Sequence, residues 1–187
     1  MRHAAIAPDL IERARGGAPA DVDELIVRAW PEAYRLAYAV LARHDTAQDA
    51  AQEACLVVCR SIASLRSVAA FRVWFARIVV REASAVRKRR IPATATGEPS
   101  TEPHDSATSL DIWCALETLS PAMREVVVLR YFEDLTSREI GAVLGIPAPT
   151  VRFRLMIALR RLRPLLETVS GAAAPHTPDP EVRSHAC

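Results

Sequence analysis

TSREIGAVLGIPAPTVRFR, residues 136–154, holds two short helical patterns separated by a tight break. Thr136 followed by Glu139 has the spacing of a capping box, so a helix is predicted to begin after Thr136. Ile140, Val143 and Leu144 form its inner stripe, and Gly145 supplies the left-handed backbone that ends it. Pro149 opens a second helix, in which Val151, Leu155, Ala158 and Leu162 recur at i, i+4, i+7 and i+11 on one inner face. This is the logic of a helix-turn-helix: the stripe packs inward and the start of the second helix is left for a major groove. Thr150, Arg152, Phe153, Arg154, Met156 and Arg160 are the candidate reading residues. Arginine bonds guanine edges bidentately or holds phosphates, and an apolar side chain contacts thymine methyls. Two alternatives stay open. A plain αα-hairpin would use the basic face for protein contact, and Phe153 would equally serve as an exposed apolar site for an inhibitor or for the chain's own first half.

Outward from this unit, strand signals are nearly absent and helical patterns dominate. A helix is expected from about Asp21, capped by Asp21 with Glu24 at the reciprocal position, to about Arg43. HDTAQ (44–48) reads as a turn and 48–63 as a second helix. A third spans 68–90, with Phe71, Trp74, Phe75 and Ile78 at core spacing and Arg77, Arg81 and Lys88 forming a basic stripe. Residues 91–109 lose all apolar period and gain proline, serine and threonine, the composition of a flexible linker. Helical pattern resumes near Leu110. Ser120-Pro121 starts another helix running to about Phe132. The expected organisation is all-α: an N-terminal extension (1–20), a helical domain (21–90), the linker (91–109), a helix-turn-helix domain (110–168) and a disordered tail (169–187).

Composition limits the function classes. Net charge is only +2, but the 24 basic residues include a single lysine, Lys88, and cluster at Arg87–Arg90 and along 152–163. No apolar run approaches the ~20 residues of a membrane span, and the N-terminus lacks a secretory pattern, so a cytoplasmic chain without membrane insertion is expected. Cys55, Cys59, Cys114 and Cys187 are expected to be reduced thiols rather than a disulfide framework. No phosphate loop, nucleophile–base set or metal-spaced cluster marks an enzyme, and no cofactor or metal is implied. His176, His185 and Cys187 are too loosely spaced to read as ligands.

Two stretches together resemble a known family. TAQDAAQEACLVVCRSIASL…FRVWFARIVVREASAVRKRR (46–90) is similar to region 2 of the sigma-70 family of bacterial RNA polymerase initiation factors. ALETLSPAMREVVVLRYFEDLTSREIGAVLGIPAPTVRFRLMIALRRLR (115–163) is similar to region 4, specifically in the extracytoplasmic-function (ECF) group. The resemblance implies a factor that docks on core RNA polymerase, at its clamp helices and flap, and leaves the chemistry to the polymerase. It implies that Asp49, Gln52 and Glu53 match the polymerase-docking motif. It also implies that Arg77, Arg81, Arg87, Lys88, Arg89 and Arg90 grip the minus-10 element, with the loop SLRSVAA (64–70) placed for a flipped base. The helix from Pro149 then reads minus-35, and an anti-sigma factor is the implied inhibitor. Where the family carries an acidic run, this chain has Thr46-Ala47-Gln48-Asp49, which suggests phosphorylation of Thr46 by a Ser/Thr kinase as a way to restore charge. Arg81 and Ala85 also depart from the Asn and Asp frequent in the third helix, so minus-10 specificity does not carry over. The alternative is a helix-turn-helix regulator that never joins polymerase.

Overall fold

A computed structural model describes residues 6–90 and 113–172, in which every regular element is helical. The first is α1 (Pro8–Arg15), inside the segment expected to be a mere extension. Its apolar positions Leu10, Ile11 and Ala14 are buried, and the Arg15 guanidinium donates to the Leu65 carbonyl at 2.9 Å. At eight residues, and without a side-chain cap, α1 carries too weak a local signal to stand out from sequence; its packing and the bonds of Arg13 and Arg15 stabilise it.

The second helix, α2 (Pro19–Leu41), begins two residues before the expected Asp21 cap, because Pro19 supplies the fixed φ of a first helical position. Asp21 instead accepts a hydrogen bond from Arg13 at 2.9 Å, and Arg13 also reaches Asp9 and Glu24. Ala42, in the left-handed conformation at φ 56°, makes the break to α3 (His44–Ser61), which starts four residues earlier than expected. Two short 3-10 turns, Ile62–Ser64 and Val68–Ala70, lead into α4 (Phe71–Arg90). Along α2, α3 and α4, alanines 29, 33, 37, 47, 50, 51, 54, 76 and 83 are fully buried. Small side chains let helix axes approach closely, and the leucine, valine and phenylalanine residues fill the remaining space.

The C-terminal half comprises α5 (described over 113–117), α6 (Pro121–Tyr131), α7 (Ser137–Leu144) and α8 (Ala148–Ala172). The capping box is formed as expected. Thr136 Oγ1 accepts from the Glu139 N–H at 3.3 Å, and the Thr136 N–H donates to Glu139 Oε2 at 2.8 Å. Gly145 adopts φ 68° and ends α7, and Val151, Ala158 and Leu162 are buried as the stripe required. Helix α8 continues to Ala172, past the point where a disordered tail was expected, while the rest of that tail and the 91–109 linker lie outside the described residues.

The two helical halves pack on each other: Val126, Val128, Leu129, Leu135, Ile140, Val143 and Val151 belong to the same buried cluster as the core of α1–α4. Helix α6 lies against α2 and α7 against α4.

The close turn between α7 and α8 depends on Gly141. A Cβ there would sit 2.6 Å from the Ile146 carbonyl oxygen, a backbone atom that cannot swing aside. Gly141→Ala is expected to cost about 1–3 kcal/mol in a urea titration, by forcing the turn open. Thr136→Ala should cost about 1 kcal/mol through the lost cap. The Thr136 hydroxyl and backbone N–H hold the Glu139 carboxyl below the usual glutamate range. That stabilisation is therefore complete above the ordinary glutamate pKa and is lost as pH falls through the folded value, so the Thr136→Ala penalty should shrink in acid.

Candidate nucleic-acid interface

Three exposed helical faces carry the candidate residues. On α3, Asp49, Gln52 and Glu53 are all exposed at i, i+3 and i+4, and the next position of that stripe, Leu56, is 41% exposed. The structure thus adds a solvent-facing leucine to the acidic patch. Leu56 escaped the sequence reading because a leucine on an amphipathic helix reads as core. Thr46 sits at the start of the same helix but is buried, and its hydroxyl donates to the Arg43 carbonyl at 3.2 Å. A kinase would have to unwind this turn to reach the hydroxyl, so the structure speaks against phosphorylation there.

On α4, Arg77, Arg81 and Lys88 are exposed along one side, with Arg89 next to them and Arg90 at the helix end. Phe71 and Phe75 stack at 5.5 Å and are buried, and Trp74, half-buried, tilts against Phe71 at 5.9 Å. These rings serve the core first. Arg87 does not join the basic face. It points to the other half of the molecule, where Nη1 donates to Oε1 of the buried Glu125 at 3.1 Å. Sequence periodicity could not reveal this, since an arginine in RKRR carries no sign of its long-range partner.

On α8, Arg152, Phe153, Met156 and Arg160 are exposed, with Phe153 at 59% and Met156 at 48%. Thr150 and Arg154 are half-buried on the flank, less available than the sequence suggested. The face is a mixed one, an apolar strip bordered by arginines. It suits a groove that offers thymine methyls and phosphates together. Behind it, Arg124 donates to the carbonyls of Leu116 and Glu117 at 3.0 Å each and so closes the end of α5. Burial lowers the pKa of Arg124. No group of three His, Cys, Asp or Glu side chains among the described residues is placed to hold a metal ion.

Residues 17–91 match the family model described as Sigma-70 region 2, and residues 115–164 match Sigma-70, region 4. Over 165 residues the chain is 32% identical to RNA polymerase sigma factor CarQ of Myxococcus xanthus, covering 83% of this chain and 95% of that one. The chain belongs to the sigma-70 family. It falls in the extracytoplasmic-function group: it is 33% identical over 165 residues to ECF RNA polymerase sigma factor SigE of Mycolicibacterium smegmatis. That match covers 81% of this chain but 64% of the mycobacterial protein, just under two thirds of its length. In fold it is similar to the sigma factor RpoE of Bartonella quintana, solved with the anti-sigma factor NepR, with a TM-score of 0.67 at 22% identity. The likeness covers 79% of this chain and 97% of that one. In sigma terms, α2–α4 are region 2 and α5–α8 region 4.

One measurement tests this surface. Arg152→Ala should weaken binding to a cognate minus-35 duplex by about 1–3 kcal/mol if the side chain reads a base, with a matching loss of sequence preference. A uniform loss across sequences would assign it to phosphate instead. Separately, burial pushes the Cys55 thiol up to about 11, while Cys59 and Cys114 are exposed. Alkylation of the native protein at neutral pH should therefore label Cys59 and Cys114 and spare Cys55 until the chain is unfolded.

Proposed function

We propose that this chain binds core RNA polymerase and directs it to a particular set of promoters. The α3 stripe of Asp49, Gln52, Glu53 and Leu56 docks on the polymerase clamp helices. Basic groups of α4 hold the minus-10 strand, and the outer face of α8 reads minus-35. The observation that carries this reading is the presence in one chain of two exposed basic helix faces and the acidic α3 face, within the residues that match region 2 and region 4. A helix-turn-helix regulator acting without polymerase would give the exposed Leu56 on α3 no role.

The chemistry of RNA synthesis belongs to the polymerase in this scheme, and this chain supplies position and strand capture. Its place of action is the cytoplasm, where the polymerase works. Among the described residues no single helix is long and apolar enough to cross a membrane. An anti-sigma factor is a fitting inhibitor, as for the Bartonella protein solved with one. The exposed Phe153–Met156 strip on α8 suits its apolar contacts as well as DNA, so the two would compete.

Purified chain added to core polymerase should yield discrete transcripts from a genomic template. Their start sites should share an upstream pair of elements. Asp49→Lys combined with Glu53→Lys should abolish co-purification with core while leaving the helical circular-dichroism signal intact. Retained polymerase binding would remove α3 from the docking surface. The absence of any transcript with core polymerase would overturn the function itself. DNA affinity should also fall linearly on a log–log plot against salt, as released counterions require.

A further inference from the structure

Helix α1 has a further neighbour besides α2. It also lies against both 3-10 turns that flank the loop 64–70. Between those turns the chain is extended: Leu65 sits at φ −64°, ψ 121° and Ser67 at φ −154°, ψ 150°, and Arg66 and Ser67 are exposed. Each turn closes on itself, the Leu65 N–H donating to the Ile62 carbonyl at 3.0 Å and the Ala70 N–H to the Ser67 carbonyl at 3.1 Å. The piece between them has no helical ladder to set its shape. It is held from outside, where Arg15 Nε donates to the Leu65 carbonyl at 2.9 Å and the Leu65 side chain is buried.

Arg15 is built for this task. Its guanidinium forks: while Nε holds the loop, Nη1 lies 2.6 Å from the Glu12 carboxylate, one turn earlier on α1. Glu12 balances its charge and the side chain is only 25% exposed, so Arg15 is poorly placed to take a phosphate. Its backbone is fixed independently of that side chain, because Leu10, Ile11 and Ala14 are buried and Arg13 bonds Asp9, Asp21 and Glu24. The loop in turn runs straight into α4 at Phe71. On α4 the half-buried Trp74 and the exposed Arg77 and Arg81 lie at i, i+3 and i+7, one face leading back to the loop. Arg77 is six residues from Phe71, about 9 Å along the helix axis at ~1.5 Å per residue. A strand gripped along Arg81 and Arg77 therefore brings its next bases beside residues 64–70.

We propose, on the promoter reading above, that Arg15 is a positioning residue for recognition: it fastens the 64–70 loop in one shape, and that shape selects the base accepted next to the start of α4. Backbone N–H and C=O groups discriminate bases only when they are held within a fraction of an ångström, and an extended tripeptide on its own samples many shapes. Removing the one bond that sets the shape costs selectivity before it costs affinity, since the grip on phosphates belongs to α4. The first helix, far from the basic face in sequence, thus becomes part of the reading apparatus.

The test compares the parent with Arg15→Met, which keeps the stem but has no donor, and Arg15→Lys, which keeps a donor. First, hydrogen–deuterium exchange is followed over residues 62–71 of the free full-length chain. Arg15→Met should exchange about tenfold faster there, as the loss of one charge-assisted hydrogen bond implies, with the other helices unchanged. Arg15→Lys should stay near the parent. Second, each protein is joined to core polymerase, and transcription is read from one of its promoters carrying every single-base change in the minus-10 element. Arg15→Met should lose about tenfold in preference at one position and keep its preferences elsewhere and at minus-35, and Arg15→Lys should restore the loss. Unchanged loop exchange in Arg15→Met, or a lysine that restores nothing, would overturn the fastening. Faster exchange with unchanged base preference would overturn the role in selectivity. A uniform loss across all bases, with the slope of log affinity against log salt reduced by about one, would make Arg15 a phosphate ligand and overturn the proposal. A uniform loss with a lower Tm would make it merely structural and do the same. Exchange is measured without polymerase or DNA, so a chain whose loop loosens yet which supports no transcription sinks the proposed function and leaves the fastening standing.

Discussion

Close approach of α2, α3 and α4 is the constraint on which everything else depends. The chain has few aromatic residues, only 5% of the total, and fills its first core with alanines that bring helix backbones together. Tight helix contact fixes the rotation of each helix about its axis, because interdigitated side chains permit only a few relative orientations. That rotation aims Asp49, Gln52 and Glu53 outward on α3 and puts Arg77, Arg81 and Lys88 on the outside of α4. A looser bundle would keep the same residues but let their directions drift.

The second half solves the same problem differently. Its helices are short, and their mutual angle is set by backbone devices: the Thr136–Glu139 capping box, the left-handed Gly145, and the bare Cα of Gly141 beneath the Ile146 carbonyl. Local hydrogen bonds and the absence of a methyl group decide where α8 points. The reading face of α8 is therefore more sensitive to single backbone-level substitutions than the face of α4, whose direction is shared among many apolar contacts. Arg124 contributes by satisfying carbonyl groups at the end of α5, where no following helical turn is available.

Between the halves the structure trades charge for charge. Glu125 is the one carboxylate of α6, buried beside Val126, Val127, Val128 and Leu129, and it pairs with Arg87 of α4. A buried pair of this kind is weak evidence for stability, since desolvation offsets much of the attraction, but removing one partner leaves a costly unpaired charge. Trp113 adds apolar area at the point where the second half begins, its ring lying between Tyr38 of α2 and Phe132.

By itself the sequence determined the all-α class, the helix-turn-helix and the identity of most outward-facing residues. The reason is that caps, the glycine turn and a 3.6-residue period are written locally, each within a few positions. Both halves of a family pattern were legible for the same reason. Only the tertiary structure decided what depends on distant partners. Helix α1 is ordered through Leu65 and the α2 acids, Thr46 is buried under its own turn, and Leu56 faces solvent. Arg87, one arginine in a run of four basic residues, turned out to be spoken for by Glu125, 38 positions away. No periodicity encodes such a pairing; it exists because packing α6 against α2 brings a buried carboxylate within reach of α4.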